Sequence, residues 1–206
     1  MKKFALLIFA IATTFQAVYA QFGVGVSVGM NNSTVEIKGE TEIAPDPTYH
    51  YFIGLSPNYV LNDKFSVNLD FQYSGKGYLF SFDTGDELNM VTKLRYLDFI
   101  PEVQYHIFPG LSLGIGVSYG ILLEEKSKFG NQEWMTDDQV TNTKSTDIGL
   151  TGTLRGNYKN FFAFLRYNHG IKNISNAPFH DQNGHPVNQK QYNRNIQLGI
   201  GYNFTI

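Results

Sequence analysis

Five histidines, at positions 50, 106, 169, 180 and 185, are the first side chains to question, because imidazole is the usual proton carrier and metal ligand near neutral pH. His169 precedes Ser175 and Asp181 in one polar stretch, and a serine, a histidine and a carboxylate can serve as nucleophile, base and orienting group. No spacing in that stretch forces the three together. His180, Asp181 and His185 could hold a metal, but a His-x4-His spacing in a segment containing Asn and Gly matches no strong ligand pattern. The residue types therefore assign no catalytic residue, no cofactor and no metal. Cysteine is absent, which excludes disulfides, thiolate nucleophiles, thiolate metal sites and an N-terminal lipid anchor. A formal charge of -2 without a basic block excludes a nucleic-acid partner.

The elements that carry these side chains read as strands. From Phe22 onward apolar residues alternate, with no helical stripe. Near the C-terminus Ile196, Leu198, Ile200, Tyr202, Phe204 and Ile206 share one face, and Gln197, Gly199, Gly201, Asn203 and Thr205 the other. The same rule gives eight segments, at roughly 22–30, 48–61, 64–79, 91–107, 111–122, 144–157, 161–171 and 193–206. Asn62-Asp63, Phe108-Pro109-Gly110 and Tyr158-Lys159-Asn160 make tight turns, whereas 31–47, 80–90, 123–143 and 172–192 are long and polar. Short turns at one end and long loops at the other are the layout of an eight-stranded antiparallel up-and-down transmembrane β-barrel, an all-β fold. Pro57 and Pro101 fall inside strands without a ladder N–H, so each marks a bulge or a weakened pair.

A soluble lipocalin-like carrier has the same period but puts its apolar side chains inside. Here the second face is crowded with Gly and Ser and bears charges at mid-strand. Asp70, Asp98, Glu102, Asp147, Lys76, Arg155 and Arg166 all share it, which suits a narrow lumen filled by a paired charge network and leaves the apolar face to lipid. A packed lumen of this width argues against an open pore. On the apolar face Tyr51, Tyr73, Tyr119 and Tyr167 lie toward the long loops, and Tyr59, Tyr105, Tyr158 and Tyr202 toward the short turns. Tyrosine favours the headgroup region, so these form two interface girdles. Arg95 has lipid-facing parity, which places it near the outer rim, where a long cation can snorkel, or in a locally slipped register.

Lys2 and Lys3 precede an apolar run from Phe4 to Ala12, and Val18-Tyr19-Ala20 resembles a cleavage site. The run is shorter than the ~20 residues of a spanning helix. Residues 1–20 are thus expected to be a signal peptide and 21–206 the barrel domain. The long loops are mostly acidic, with Glu36, Glu40, Glu42 and Asp46 in one and Glu124, Glu125, Asp137 and Asp138 in another. The second also holds the single tryptophan, Trp134, either a loop binding anchor or a cap on the barrel mouth. Acidic loops could bridge lipopolysaccharide through divalent cations.

Several ordered motifs resemble the PorT-like outer-membrane β-barrel family of Bacteroidota. They are Phe65-Ser66-Val67 leading to Tyr73-Ser74-Gly75-Lys76-Gly77, then Leu94-Arg95-Tyr96-Leu97-Asp98-Phe99-Ile100-Pro101. Leu113-Gly114-Ile115-Gly116, Tyr119-Gly120, Asp147-Ile148-Gly149-Leu150, Arg166-Tyr167-Asn168 with Gly170, and Leu198-Gly199-Ile200-Gly201-Tyr202-Asn203-Phe204 follow in order. Phe99 lengthens the segment before Pro101 relative to that family, and the chain ends Phe204-Thr205-Ile206 in place of a terminal aromatic. The resemblance implies outer-membrane location, insertion by the barrel-assembly machinery, contact with outer-membrane lipid and lipopolysaccharide, and, for some relatives, a link to secretion and gliding machinery. The expected role is a non-enzymatic envelope scaffold or surface-binding module. Its rivals are a rim-located enzyme acting on lipid A or phospholipid, the soluble carrier and a narrow pore.

Overall fold

The computed structural model describes residues 22–39, 44–81, 89–136, 143–176, 179–180, 186–187 and 189–205; the expected signal peptide and Ile206 lie outside them. In chain order the strands are β1 (Phe22–Lys38), β2 (Asp46–Val60), β3 (Phe65–Phe80), β4 (Met90–Phe108), β5 (Leu111–Phe129), β6 (Met135–Thr136), β7 (Thr146–Tyr158), β8 (Phe161–Gly170), β9 (Phe179–His180), β10 (Pro186–Val187) and β11 (Lys190–Thr205). The eight long ones pair antiparallel in the order β4-β3-β2-β1-β11-β8-β7-β5, and β5 pairs back onto β4 to close the ring. β6 extends the edge of β5, and β9 pairs with β10. The expected all-β, eight-stranded up-and-down barrel is the observed fold.

Burial alternates with the sequence. Leu198 and Ile200 are each 63% exposed, while Gln197 between β11 neighbours is buried. An apolar outer wall around a polar interior is the inverse of a soluble carrier, so that arrangement is excluded. Two strands run well past their expected ends, β1 to Lys38 and β5 to Phe129. On β1 the alternation continues with its polarity reversed. Above Met30 the outward positions become Asn32, Thr34, Glu36 and Lys38, and the inward ones become Val35 and Ile37, both buried. On β5 the pairing with β4 slips between Arg95 and Tyr96, so that Leu123 bulges and Glu125 turns inward. The barrel wall therefore rises out of the membrane as a tower that is polar outside and apolar inside.

The prolines weaken pairing without shifting it. Register on either side of Pro57 with β3, and of Pro101 with β5, stays in step although ladder partners are missing there. The tight turns use left-handed backbone at Gly110 (φ 93°) and, less commonly, at Lys159 (φ 53°).

Small residues on the inner face make room for neighbours of two kinds. A Cβ on Gly120 would come within 2.5 Å of Asp98, as expected of a polar lumen. On β1 and β11 the occupants are instead phenylalanines: a Cβ on Gly199 would lie 2.6 Å from the Phe164 ring and one on Gly201 2.3 Å from Phe162. Phe52, Phe162 and Phe164 form a buried inward cluster against those strands. Apolar-out, polar-in is thus broken on one side of the lumen.

Candidate functional site

The charged residues of the lumen lie in two groups. Arg166, 2% exposed, reaches from β8 across the barrel to Asp70 and Glu102. Its Nε donates to Glu102 Oε1 and Thr153 Oγ1, both at 3.0 Å, and a terminal nitrogen donates to Gln197 at 3.2 Å. Thr151 and Thr153 hydroxyls donate to Glu102 at 2.9 and 2.6 Å, and Asn68 donates to Asp70 at 2.6 Å. The second group centres on Lys76, 3.0 Å from Asp98 and 3.5 Å from Asp147, with its ammonium 4.5 Å from the Tyr96 ring centroid. Asn193 completes it by donating to Asp147 at 2.8 Å. Arg155 is held differently, by Asn157 and Asn203 and by the Phe162 face 3.7 Å away. All seven residues are buried on the inner face, and six of them join in two ion-paired clusters.

Above the charges the lumen is closed by an apolar plug. Val35, Ile37, Tyr78, Leu94, Tyr96 and Ile174 pack together, and Ile174, from the segment after β8, is 0% exposed at its centre. Glu125 supports the same level by accepting from the Thr143 N–H and hydroxyl at 3.0 and 2.9 Å. Burial and the nearby Glu125 carboxylate push the Tyr78 phenol up to about 12, so it remains a neutral member of the plug.

A cleft of about 430 Å³ opens on the outside of the wall, at the external rim. β2 and β3 lose register between Pro47 and Phe52, lifting residues 48–51 off the neighbouring strand. Asn31 and Ser33 of β1 satisfy the backbone of β3 left behind: Asn31 donates to the Gly75 carbonyl at 2.7 Å, and Ser33 exchanges hydrogen bonds with Gly77 at 2.8 and 3.1 Å. His50 lies over these glycines, where a Cβ on Gly75 would meet it at 2.8 Å. The cleft is lined by Tyr49, Tyr51, His50 and Gly75 on one side and by Lys93, Arg95, Lys126 and Trp134 on the other. Burial first, then the charges of Lys93 and Arg95, lower the His50 pKa below its usual 6.5. Glu124 bridges Arg95 (3.3 Å) and Lys126 (2.6 Å). The Lys126 hydrogen bond, and then charge from Lys126 and Arg95, outweigh burial and lower its carboxyl.

Trp134 is half-buried on this outer wall, with Lys93 4.4 Å and Lys128 5.2 Å from its ring centroid. It does not cap the mouth, because Ile174 fills that position. Glu36 and Asp46, expected in a loop, lie on β1 and β2, and Glu124 and Glu125 lie on β5. Arg194 and Lys38 pair with Glu36; burial pushes its carboxyl up, but these partners leave it below the usual range. Glu40, Glu42, Asp137 and Asp138 lie outside the described residues.

Both tyrosine sets sit on the outer wall. Tyr51, at 77%, is the most exposed of the upper set with Tyr73, Tyr119 and Tyr167, and Tyr105 and Tyr158 are exposed in the lower set, where Tyr59 and Tyr202 are half-buried. His169 also faces outward, its Nδ1 3.4 Å from the Tyr167 hydroxyl, whereas Ser175 is buried beside the bridge to Thr143. Asp181 and His185, and the side chain of His180, lie outside the described residues. Among the described residues no three His, Asp or Glu side chains gather as a metal site. The cleft and the inward phenylalanines are the features that alternation alone did not reveal. The signal for the cleft is a run of paired motifs, Tyr49-His50-Tyr51, Gly75-Lys76-Gly77, Lys93-Leu94-Arg95 and Lys126-Ser127-Lys128, which only the register brings together.

Residues 15–176 match the family described as outer membrane protein beta-barrel domain. Ail, the attachment invasion locus protein of Yersinia pestis, aligns with a TM-score of 0.51 over 89% of this chain and 99% of that one, at 16% identity. Neisserial surface protein A aligns with a TM-score of 0.53 over 89% and 97%, at 10% identity. Likeness at these identities is likeness of fold. Two curated relatives bear the name UDP-3-O-acyl-N-acetylglucosamine deacetylase. That of Nautilia profundicola is 32% identical over 57% of this chain and 42% of the relative, and that of Nitratiruptor sp. is 28% identical over 66% and 46%. The chain spans less than half the length of these curated relatives.

Proposed function

The chain belongs to the outer membrane protein beta-barrel domain family and resides in the outer membrane, and from that premise we propose that it is a non-enzymatic envelope scaffold whose outer rim and external tower serve as a surface-binding module. One observation carries this reading. The lumen is crossed by the Arg166 and Lys76 clusters, flanked by the inward phenylalanines, and closed above by the Ile174 plug. An eight-stranded barrel has no width to spare for a solute path beside such side chains. Work done by this fold then falls to its outer surfaces.

The narrower PorT-like membership in Bacteroidota rests on the ordered motifs around Lys76, Asp98, Asp147 and Arg166, which are also the residues of the two lumen clusters. A signal peptide over residues 1–20 and a tie to secretion machinery belong to the same proposal. The test pairs bilayer conductance with crosslinking in intact cells. The reading expects no steady conductance and a discrete crosslinked envelope partner. A stable conductance from the purified barrel would overturn it. The deacetylase name among the relatives supplies a direct test of the enzymatic rival: the folded barrel is expected to release no acetate from UDP-3-O-acyl-N-acetylglucosamine, and turnover above a heat-unfolded control would favour the enzyme.

A further inference from the structure

The rim cleft carries more positive charge than its own side chains balance. Lys93 stands directly across from Lys126 in the β4–β5 register, and Val91 stands across from Lys128. Like charges placed opposite each other on one sheet face destabilise it unless an anion intervenes. Glu124 is already shared between Arg95 and Lys126. Among the described residues neither Lys93 nor Lys128 has a carboxylate within ion-pair distance, and both lie over Trp134 instead. Glu133, exposed and next in sequence to Trp134, is the other carboxylate near this end.

Position says which anion fits. Toward the membrane the outward residues that follow are Leu97 on β4 and, past Glu124, the bulged Leu123 and then Ile121 on β5, all exposed at the top of the apolar band. Each residue of a strand rises about 3.3 Å, so along β4 Arg95 stands roughly 7 Å and Lys93 roughly 13 Å above Leu97, from where long side chains reach the headgroup layer. Tyr49 and Tyr51, 68% and 77% exposed, form one wall and Trp134 the other. Aromatic side chains with polar tips favour that depth. A soluble anion would use the cations but has no need of a cleft opening onto an apolar wall.

We propose that this cleft is a binding site for the phosphate of an outer-leaflet lipid headgroup, held by Lys93, Arg95 and Lys126 of its lining, with the acyl chains lying down the wall below Tyr51 and Lys128, 5.2 Å from the Trp134 ring, outside the lining. The site rests on the outer-membrane placement of the barrel, which a heat-modifiable gel band tests separately. Trp134 is the single tryptophan, so its emission reports on the site directly. The full barrel, refolded in zwitterionic micelles, is titrated with lipid A in bisphosphorylated and dephosphorylated forms, and bound lipid is counted by native mass spectrometry. Saturable binding of the phosphorylated form is expected, weakened about fivefold for each cation removed and so about 25-fold in a Lys93→Gln, Lys126→Gln double variant. Lys64→Gln, at the opposite end of the barrel, should leave it unchanged. Equal binding of the dephosphorylated lipid, no loss in the double variant while its heat-modifiable band persists, or equally tight binding of a soluble sulfated polymer would each overturn the proposal.

Discussion

Arg166 and Arg155 face the same lumen yet should respond differently to loss of charge. Arg166→Met leaves Asp70 and Glu102 buried without their cation, which costs about 3 to 5 kcal/mol. Arg155→Met breaks no ion pair: it removes a cation that acts on Asp70 and Glu102 only at longer range, unpairs the amide oxygens of Asn157 and Asn203 and keeps an apolar chain against Phe162, so a smaller loss of about 1 to 2 kcal/mol is expected. Urea unfolding of the two variants in lipid measures the difference, and equal losses would contradict the assignment of partners. His50 gives a residue-scale test by pH. Its lowered pKa means the folded barrel favours neutral imidazole, so its contribution to stability is present above the unfolded value near 6.5 and lost as pH falls below it. In an NMR titration the His50 midpoint should lie below 6.5 and rise in Lys93→Gln, though not fully, because burial is the larger cause. The inward charges were legible because a lone polar residue at the right parity in a greasy strand has one place to go. Phe52, Phe162 and Phe164 were not, because an inward ring reads as an exception until Gly199 and Gly201 are seen across the register from Phe164 and Phe162.

Among the elements, β11 tests both faces of the wall at once. Ile200 sits mid-band on the lipid side, and Ile196 near its upper edge. Ile200→Arg should cost about 2 to 4 kcal/mol and Ile196→Arg about 0 to 1, since the penalty for a cation falls with distance from the bilayer midplane. Matching small losses at both sites would mean that the outer wall does not meet lipid. On the inner face, Gly199→Ala should disturb folding, because its Cβ would lie 2.6 Å from Phe164 and 2.8 Å from Phe52, and Phe164→Ala in the same chain should relieve part of that effect by removing the closer ring and giving Phe52 room to shift. The eight strands were readable wherever outward residues stayed apolar. Reading stopped at Met30 and Leu122 because the signal followed polarity, and polarity inverts where the wall leaves the membrane. The bulges at Leu123 and at residues 48–51 were hidden for a related reason: a bulge is a property of two strands in register, and neither strand alone announces it.

At the scale of the whole molecule, the barrel has a lipid belt, a tower above it and short turns below it, and the absence of cysteine allows each zone to be probed by one introduced thiol. Lys38 lies exposed at the top of β1, Asn160 in the exposed turn between β7 and β8, and Leu198 on the belt. Short turns face the periplasm and longer connections the outside in barrels of this kind. A membrane-impermeant thiol reagent should therefore label Lys38→Cys in intact cells and Asn160→Cys only after the outer membrane is permeabilised. Leu198→Cys should resist the reagent in both conditions and react once the barrel is unfolded, because lipid and not protein covers its 63% exposed side chain. Exchange of the first two results would reverse the orientation and move the rim cleft to the periplasmic leaflet. Ready labelling of Leu198→Cys in the folded protein would remove the lipid belt, and with it the physical reason for a polar, ion-paired lumen, since only a wall bathed in hydrocarbon leaves those charges no better place to lie.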